Sequence, residues 1–335
     1  MKKVVTFGEI VMRIAPLGNK KWKQSDQLEH YFGGTEANVA ISLAQLGNQT
    51  QHVGVVSEDF LGDAAKSYLQ RFGVDTSLIT EDAENPLGLY FLEVGAVMRS
   101  SIISYNRSHS AFCHIQPNSI DWETVLEGCD WFHWTGITPA LSENAYLVLK
   151  EALEVARKKG ITVSADPAYR NGLWTYGKNA KDILDELVAL STVFIGGPNE
   201  INELLGTSYA FDNESFQEAA KELMSKYTQI TGVFDKTRVS LNANWHKIKA
   251  RMWNGKDFSE TSEIEITHVV DRIGTGDAYA SGLIHGLLHY DDVKALEFAN
   301  ASCAIKHTIE GDANLVSEKE ILNIVQGNLG GRIVR

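Results

Sequence analysis

Short apolar runs alternating with longer stretches of helical periodicity restrict the fold of this chain more than any other feature. Runs of β type fall at residues 4–7, 53–56, 131–135, 161–165 and 193–195. Helical spacing of apolar residues occupies 36–46, 62–72, 142–159, 179–190 and 215–226. Gly47, Gly73 and Gly160 stand just past three of these stretches, where a left-handed C-cap residue is expected. Alternation of this kind predicts an α/β fold, a doubly wound and mostly parallel sheet with helices on both faces. Ligands of such sheets bind beyond the C-terminal ends of the strands.

Two stretches break the alternation. Residues 10–32 and 87–112 are β-rich and polar, and the strands read at 89–94 and 102–105 have no crossover helix between them. They form either a small separate sheet, a lid that excludes water during a transfer reaction, or an antiparallel extension of the main sheet.

Composition narrows the class of partner. The 335 residues suit one large α/β domain or two smaller ones, and 44% hydrophobic with 22% charged residues is ordinary for a globular protein. A formal net charge of −12 argues against nucleic acid and requires any cations that meet an anionic substrate to be gathered locally. No run approaches the roughly 18 apolar residues of a membrane span. The opening MKKVVTFGEIVMRIAP reads as a first buried strand rather than a signal peptide. Cys113, Cys129 and Cys303 are widely spaced and form no metal-ligand pattern, which favours a reducing, cytoplasmic setting.

The segment VVDRIGTGDAYASGLIHGLL, residues 269–288, carries chemistry. An apolar run from Ile264 leads through Asp271 into Gly274-Thr275-Gly276-Asp277, and a helix follows with Tyr279, Leu283 and Leu287 on one face. Glycines at a helix start permit close backbone approach, and the unpaired N–H groups of the first turn attract an anion. Asp277 lies in that turn, where the positive helix end favours its ionised form. An acid beside a phosphate cradle suits a base that takes the proton of an attacking hydroxyl; the same pattern also serves as a plain glycine-rich helix entry.

Other motifs accompany it. Gly33-Gly34-Thr35-Glu36-Ala37-Asn38 sets a double glycine before a helix of small residues, so that a substrate can lie against the backbone beside Asn38. Tyr105-Asn106-Arg107 falls at a strand end, Asp166-Pro167-Ala168-Tyr169-Arg170 at another, and Pro198-Asn199-Glu200-Ile201-Asn202-Glu203 opens a helix. No Gly-x-Gly-x-x-Gly follows the first strand, which disfavours a dinucleotide-binding oxidoreductase.

Taken together and in this order, these motifs resemble the ribokinase-like (PfkB) carbohydrate kinases. The Asp271-x-x-Gly274-Thr275-Gly276-Asp277 element is similar to the family's second signature, and Gly33-Gly34 with Asn38 to its first. The closest similarity is to the 2-keto-3-deoxygluconate kinases, through Tyr105 with Arg107, Arg170 followed by Leu173-Trp174, and the tail from Lys306 to Asp312. The resemblance implies a single kinase domain over 1–335 with the lid inserted, and transfer of a phosphoryl group from ATP, with Mg²⁺, to a sugar-acid hydroxyl. It implies a sugar site of Gly33, Gly34, Asn38, Tyr90, Tyr105, Arg107, Arg170 and Asp277. Asp277 is the expected base, with Gly274, Thr275 and Gly276 supplying N–H groups. The nucleotide is expected at Asn199, Thr231, Gly274, Gly276, Asn300 and Ala304, with adenine between the 230–240 loop and the helix around 300–304. Mg²⁺ is expected without direct protein ligands, Glu200 or Glu203 acting through water. A homo-oligomer formed through the lid is a further expectation.

The chemistry of the arginines agrees with an acidic substrate, because a sugar carboxylate needs a cation and Arg presents a forked donor. Each of these arginines also has a structural reading, Arg107 as a solvated lid charge and Arg170 as an ion-pair partner. Ribokinase-type members carry an Asp shortly after the first strand, where this chain has Arg13, a further pointer to an acid. Two departures stand out. The family's Asn-x-x-Glu reads Asn199-Glu200-Ile201-Asn202 here, and the nucleotide loop, Ile230 to Arg238, lacks its second glycine. Lys236 and Arg238 in that loop either meet a phosphate or are solvated. A fructokinase or other neutral-sugar kinase of the same fold, and a non-catalytic sugar- or nucleotide-binding regulator, are the alternatives.

Overall fold

The structure, a computed structural model, describes residues 1–168 and 172–331. Its centre is a ten-stranded sheet. The strands are β1 (Lys3–Phe7), β4 (Gln49–Ser57), β5 (Ile79–Asp82), β8 (Trp131–Thr135), β9 (Thr162–Asp166), β10 (Val193–Ile195), β11 (Gly232–Asn242), β12 (Trp245–Trp253), β13 (Phe258–Glu260) and β14 (Ile264–Ile266). Their order is β13-β12-β11-β10-β9-β8-β1-β4-β5, with β14 paired to β12. From β11 to β5 every neighbouring pair is parallel, and β12 begins an antiparallel edge.

Side-chain alternation along these strands feeds two cores. Val5 and Phe7 of β1 and Phe194 of β10 pack beneath the helices Glu143–Lys159, Ala180–Val188, Pro198–Leu205 and Asn213–Lys226. Val4, Val193 and Ile195 face the opposite layer, formed by Thr35–Gln45, Thr275–His289 and Asp292–Lys306. Strands buried on both faces read as continuous apolar runs, which is why the sequence displays them so clearly. Gly47, Gly73 and Gly160 take φ of 85°, 88° and 70°, the left-handed values expected past helix ends.

Residues 10–32 and 87–112 contain β2 (Val11–Pro16), β3 (Leu28–Gly33), β6 (Gly88–Glu93) and β7 (Ile102–Asn106), which form a sheet of their own in the order β3-β2-β6-β7. β2 and β6 are parallel and the outer pairs antiparallel. Tyr31, Arg13, Tyr90 and Tyr105 are successive register partners across it, so one row of side chains runs from edge to edge. The alternative of an extended main sheet is therefore not what this chain does. The end of the second segment departs from the lid, since Ala111, Phe112 and Cys113 enter the main core.

Two local expectations change. The 230–240 stretch is the larger part of an eleven-residue strand, β11, hydrogen-bonded along its length to β12. The apolar run before Gly274 is strand only at Ile264–Ile266. Beyond it, Val269 N–H donates to the Asn244 carbonyl and Val270 N–H to the His307 carbonyl, at 2.9 and 2.8 Å, so loop carbonyls replace a strand partner. Among the described residues no helix is long and apolar enough to cross a membrane, and the three cysteines are free thiols.

The Thr275–His289 helix is seated by close backbone contact with Asp292–Lys306. A Cβ at Gly286 would lie 2.6 Å from Ala295 Cα, and one at Gly282 2.7 Å from Ser302 Cβ. Gly286→Ala gains helix propensity but must separate two backbones. We expect a net loss of about 1–2 kcal/mol, read as a lower urea midpoint at unchanged m-value.

Candidate active site

A cleft of about 1040 Å³ lies between the C-terminal strand ends and the lid. The lid contributes Val11, Tyr90, Tyr105 and Arg107; the first inner helix contributes Gly34, Thr35 and Asn38. Asp166 at the end of β9, Glu200, Lys236 and the Gly274–Asp277 turn complete the floor and far wall.

Gly274 begins the helix at φ 75°, and a Cβ there would lie 1.7 Å from the Asp312 carbonyl oxygen, so only glycine fits. The first N–H satisfied within the helix is that of Ala278, which donates to the Gly274 carbonyl at 2.8 Å. The N–H groups of Thr275, Gly276 and Asp277 precede it and face the orphaned end of the helix. Lys236 reaches the same turn: a Cβ on Gly276 would meet its Nζ at 3.1 Å. Of the two readings of Lys236, solvated loop charge or neighbour of an anion site, the geometry supports the second.

Asp277 receives a hydrogen bond of 2.7 Å from Asn38 Nδ2. Surrounding protein desolvates its carboxyl and, with smaller contributions from Asp166 and Asp312, pushes it up to about 7 against the opposing pull of Asn38 and Lys236. This corrects the expectation that the helix end keeps Asp277 ionised. Glu36, in the same small-residue helix, is fully enclosed and accepts from Thr135 N–H, Thr135 Oγ1 and Thr138 Oγ1 at 3.1, 2.7 and 2.8 Å. It anchors that helix, and thereby Asn38, to β8.

Several expected residues have other tasks. Gly33 does not line the cleft, and the place of its Cβ is taken by Asp312, 2.5 Å away at Oδ2. Gly34 does line it at φ 133°, with the Glu9 carbonyl 2.0 Å from its Cβ position. Both glycines thus admit protein atoms, whatever the substrate does. Arg13 is no free cation: Nη2 pairs with Asp271 and Nη1 with Asp312, each at 2.8 Å, with the guanidinium 4.4 Å from the Tyr31 ring centre. Its pointer toward an acidic substrate is withdrawn. Arg107 lines the cleft but holds Glu9 through Nε at 2.7 Å and through Nη2. It is therefore not a solvated lid charge. Arg170 lies outside the described residues.

Four expected nucleotide contacts do not line the cleft. Thr231 bonds Thr192 ahead of β11, at the N-terminal edge, whereas the cleft lies at the C-terminal ends. Asn300 donates to the Ser262 carbonyl at 3.3 Å, Ala304 packs in the apolar core beside Tyr279, and Asn199 points to solvent. Asn202, at the place of the family's Glu, closes its own turn: Oδ1 accepts from Thr207 Oγ1 and Tyr209 N–H, and Nδ2 donates to the Tyr209 carbonyl. Glu203 borders a separate, smaller cavity, while Glu200 borders both. Burial, then Asp166 and Asp235, hold Glu200 above the ordinary carboxylate range.

Asp166, Glu200, Lys236 and Asp312 are cleft residues that the motifs contained without singling out all of their roles. Arg99, Arg238 and Arg272 also line it, so cations and acids border the cleft together, Arg99 being itself paired with Glu93.

A cleft with an acid at an anion-binding helix start and a lysine beside it, bordered by a small β sheet, describes a phosphotransferase acting on small molecules. The chain belongs to the pfkB family of carbohydrate kinases, whose profile matches residues 1–319. It is thus a phosphotransferase with an alcohol group as acceptor. A solved structure of 2-dehydro-3-deoxygluconokinase from Thermotoga maritima is 39% identical, covers 97% of this chain and 98% of its own, and superposes with a TM-score of 0.93. A pfkB family carbohydrate kinase from Listeria grayi is 31% identical over 97% of this chain and 100% of its own, at TM-score 0.91. A 2-dehydro-3-deoxygalactonokinase of Haloferax volcanii is 27% identical over 98% of both chains.

The position of Asp277 yields a pH signature. A carboxyl raised to about 7 is neutral below that value; with Asp277 as the base, which must be ionised to act, kcat/KM would rise with pH through a limb near 7. Asn38 favours the carboxylate. Asn38→Ala should therefore move the limb upward by about one to two units in a pH–rate profile.

Proposed function

We propose that the chain transfers the γ-phosphoryl group of ATP to a hydroxyl of a sugar acid, the 6-hydroxyl of 2-keto-3-deoxygluconate (2-dehydro-3-deoxygluconate) being the best-supported acceptor. The observation that carries this reading is Asp277 in the first turn of the helix, held by Asn38, with the open N–H groups and Lys236 beside it.

In this reading Asp277 accepts the hydroxyl proton while the sugar oxygen bonds to the γ-phosphorus and the bond to the ADP oxygen breaks. The N–H groups at Gly274, Thr275 and Gly276 and the Lys236 ammonium stabilise the charge that spreads over the transferred oxygens. Asn38 orients the base, and the lid excludes water that would otherwise compete as acceptor. Asp166 and Glu200 share the cleft, and the charge of Asp166 contributes to holding the Glu200 carboxyl high, an arrangement that fits a nearby divalent cation. Mg²⁺ bound there with the phosphates would neutralise their charge and keep most of its waters.

Support for an acidic substrate comes from the two relatives whose names specify sugar-acid kinases and from Arg107 in the cleft wall. Arg107 keeps Nη1 uncommitted among the described residues and stacks 5.9 Å from the Tyr105 ring centre, which suits a carboxylate under the lid. A neutral hexose is the second reading, favoured by the single fact that Glu9 already answers the charge of Arg107.

Asp277→Asn should keep the fold and ATP affinity while kcat drops by about 10²–10⁴; near-normal turnover would remove Asp277 as base. A coupled ADP-release assay over acidic and neutral sugars decides the acceptor. Arg107→Ala should lower kcat/KM for 2-keto-3-deoxygluconate about ten- to a hundredfold and for fructose little, whereas equal losses would assign the arginine to structure.

A further inference from the structure

Arg13 occupies an unusual junction. It rises from β2 of the lid, yet both its partners belong to the segments that build the transfer turn. Asp271 Oδ1 accepts from Ile273 N–H at 2.9 Å and Oδ2 from Gly311 N–H at 3.2 Å, so this carboxylate holds the chain immediately before Gly274. Asp312 supports the turn from behind, its carbonyl filling the space that a Cβ on Gly274 would need. Tyr90 of the lid also reaches Asp312, its hydroxyl donating to Oδ2 at 2.5 Å. Arg13, Asp271 and Asp312 side chains are 3%, 8% and 2% exposed, so water does not substitute for any of them. Lys306 lies near enough to both acids to feel their charge and donates to the Ile309 carbonyl at 2.9 Å. Arg13 from the lid is thus the cation that pairs directly with both buried acids of the body, with Lys306 close by.

The row Tyr31–Arg13–Tyr90–Tyr105 carries this junction across the lid. It begins with the ring that Arg13 stacks on and ends at Tyr105, which lines the cleft beside Arg107. Removing one partner of an ion pair buried this deeply leaves an uncompensated charge behind.

We propose that Arg13 is a positioning residue: its guanidinium, forked between Asp271 and Asp312, sets the Gly274–Asp277 turn and ties it to the sugar-facing side of the lid. This rests on the kinase reading and assigns to that site a residue that touches neither substrate. The fork is essential to it. Lysine retains the charge but offers one point where the guanidinium offers two fixed ones.

The test compares wild type with Arg13→Lys by hydrogen exchange and steady-state kinetics. Expected for the variant are faster exchange by threefold or more at 272–277 in the unliganded protein, unchanged exchange in the Glu143–Lys159 helix, and kcat lowered tenfold or more with the KM for ATP within threefold. Wild-type exchange at 272–277, or acceleration spread evenly over the chain, overturns the proposal and leaves Arg13 as a stabilising ion pair. Unchanged kcat in an active, folded variant overturns it as well. Asp312→Asn, nearly isosteric and lacking one charge, should give the same local pattern and serves if the lysine variant does not fold. The exchange measurement needs no turnover, so an inactive wild type would count against the kinase reading while this one is still decided.

Discussion

The pairing of Arg13 with Asp271 and Asp312 is the interaction around which the functional half of the molecule is arranged. Neither acid could be buried alone, since an unpaired interior carboxylate costs several kcal/mol, and removing one partner of such a pair typically costs about 3–5 kcal/mol. Once Asp312 is in place, other residues lose their freedom. Its side chain occupies the Cβ position of Gly33, and its carbonyl that of Gly274. Glu9 acts similarly, its carbonyl excluding a Cβ at Gly34 and its Oε1 lying 2.2 Å from where a Cβ on Gly88 would be. Glycines of both signature motifs thus serve the packing of the protein against itself. That packing brings the small sheet, the Thr35–Gln45 helix and the Gly274–Asp277 turn into one frame.

Within that frame, competing electrostatic effects set the state of Asp277. A helix N-terminus stabilises a nearby anion by about 0.3–1 kcal/mol in exposed sites and up to about 2 kcal/mol in favourable ones. Desolvation opposes it, and a carboxyl moved from 3.8 to about 7 corresponds to a net effect of roughly 4 kcal/mol. Burial therefore prevails. The result is a group that changes charge near neutrality, where a base for an alcohol is most effective.

Much of this was legible in the chain. The alternation of apolar runs with helical stretches located the parallel sheet, because strands buried on both faces must be apolar throughout, and the C-cap glycines marked helix ends. The Gly-Thr-Gly-Asp turn and the Gly-Gly before Asn38 identified two walls of the cleft, since their backbone geometry leaves few substitutes. Less was legible where a residue's task depends on a distant partner. Asn202 looked like a damaged motif until Tyr209 and Thr207 were seen on its amide. Thr231 was placed by analogy with a loop, and it stands instead just ahead of the long strand Gly232–Asn242; Asn300 and Ala304 do lie on the expected helix but face its packing partners, Ser262 and the core beside Tyr279.

By itself, the sequence determined the α/β architecture and the two segments of the small sheet, through local periodicity, and the acid at the helix start, through short-range backbone requirements; the family followed from the resemblance of its motifs. The tertiary structure alone decided how each charge is used. Arg13 is buried between two acids, Arg107 shares Glu9, and Lys236 comes to the transfer turn across 40 residues of sequence. Periodicity reports which face of an element is buried. It carries no information about which ionic partner, remote in sequence, meets a side chain there.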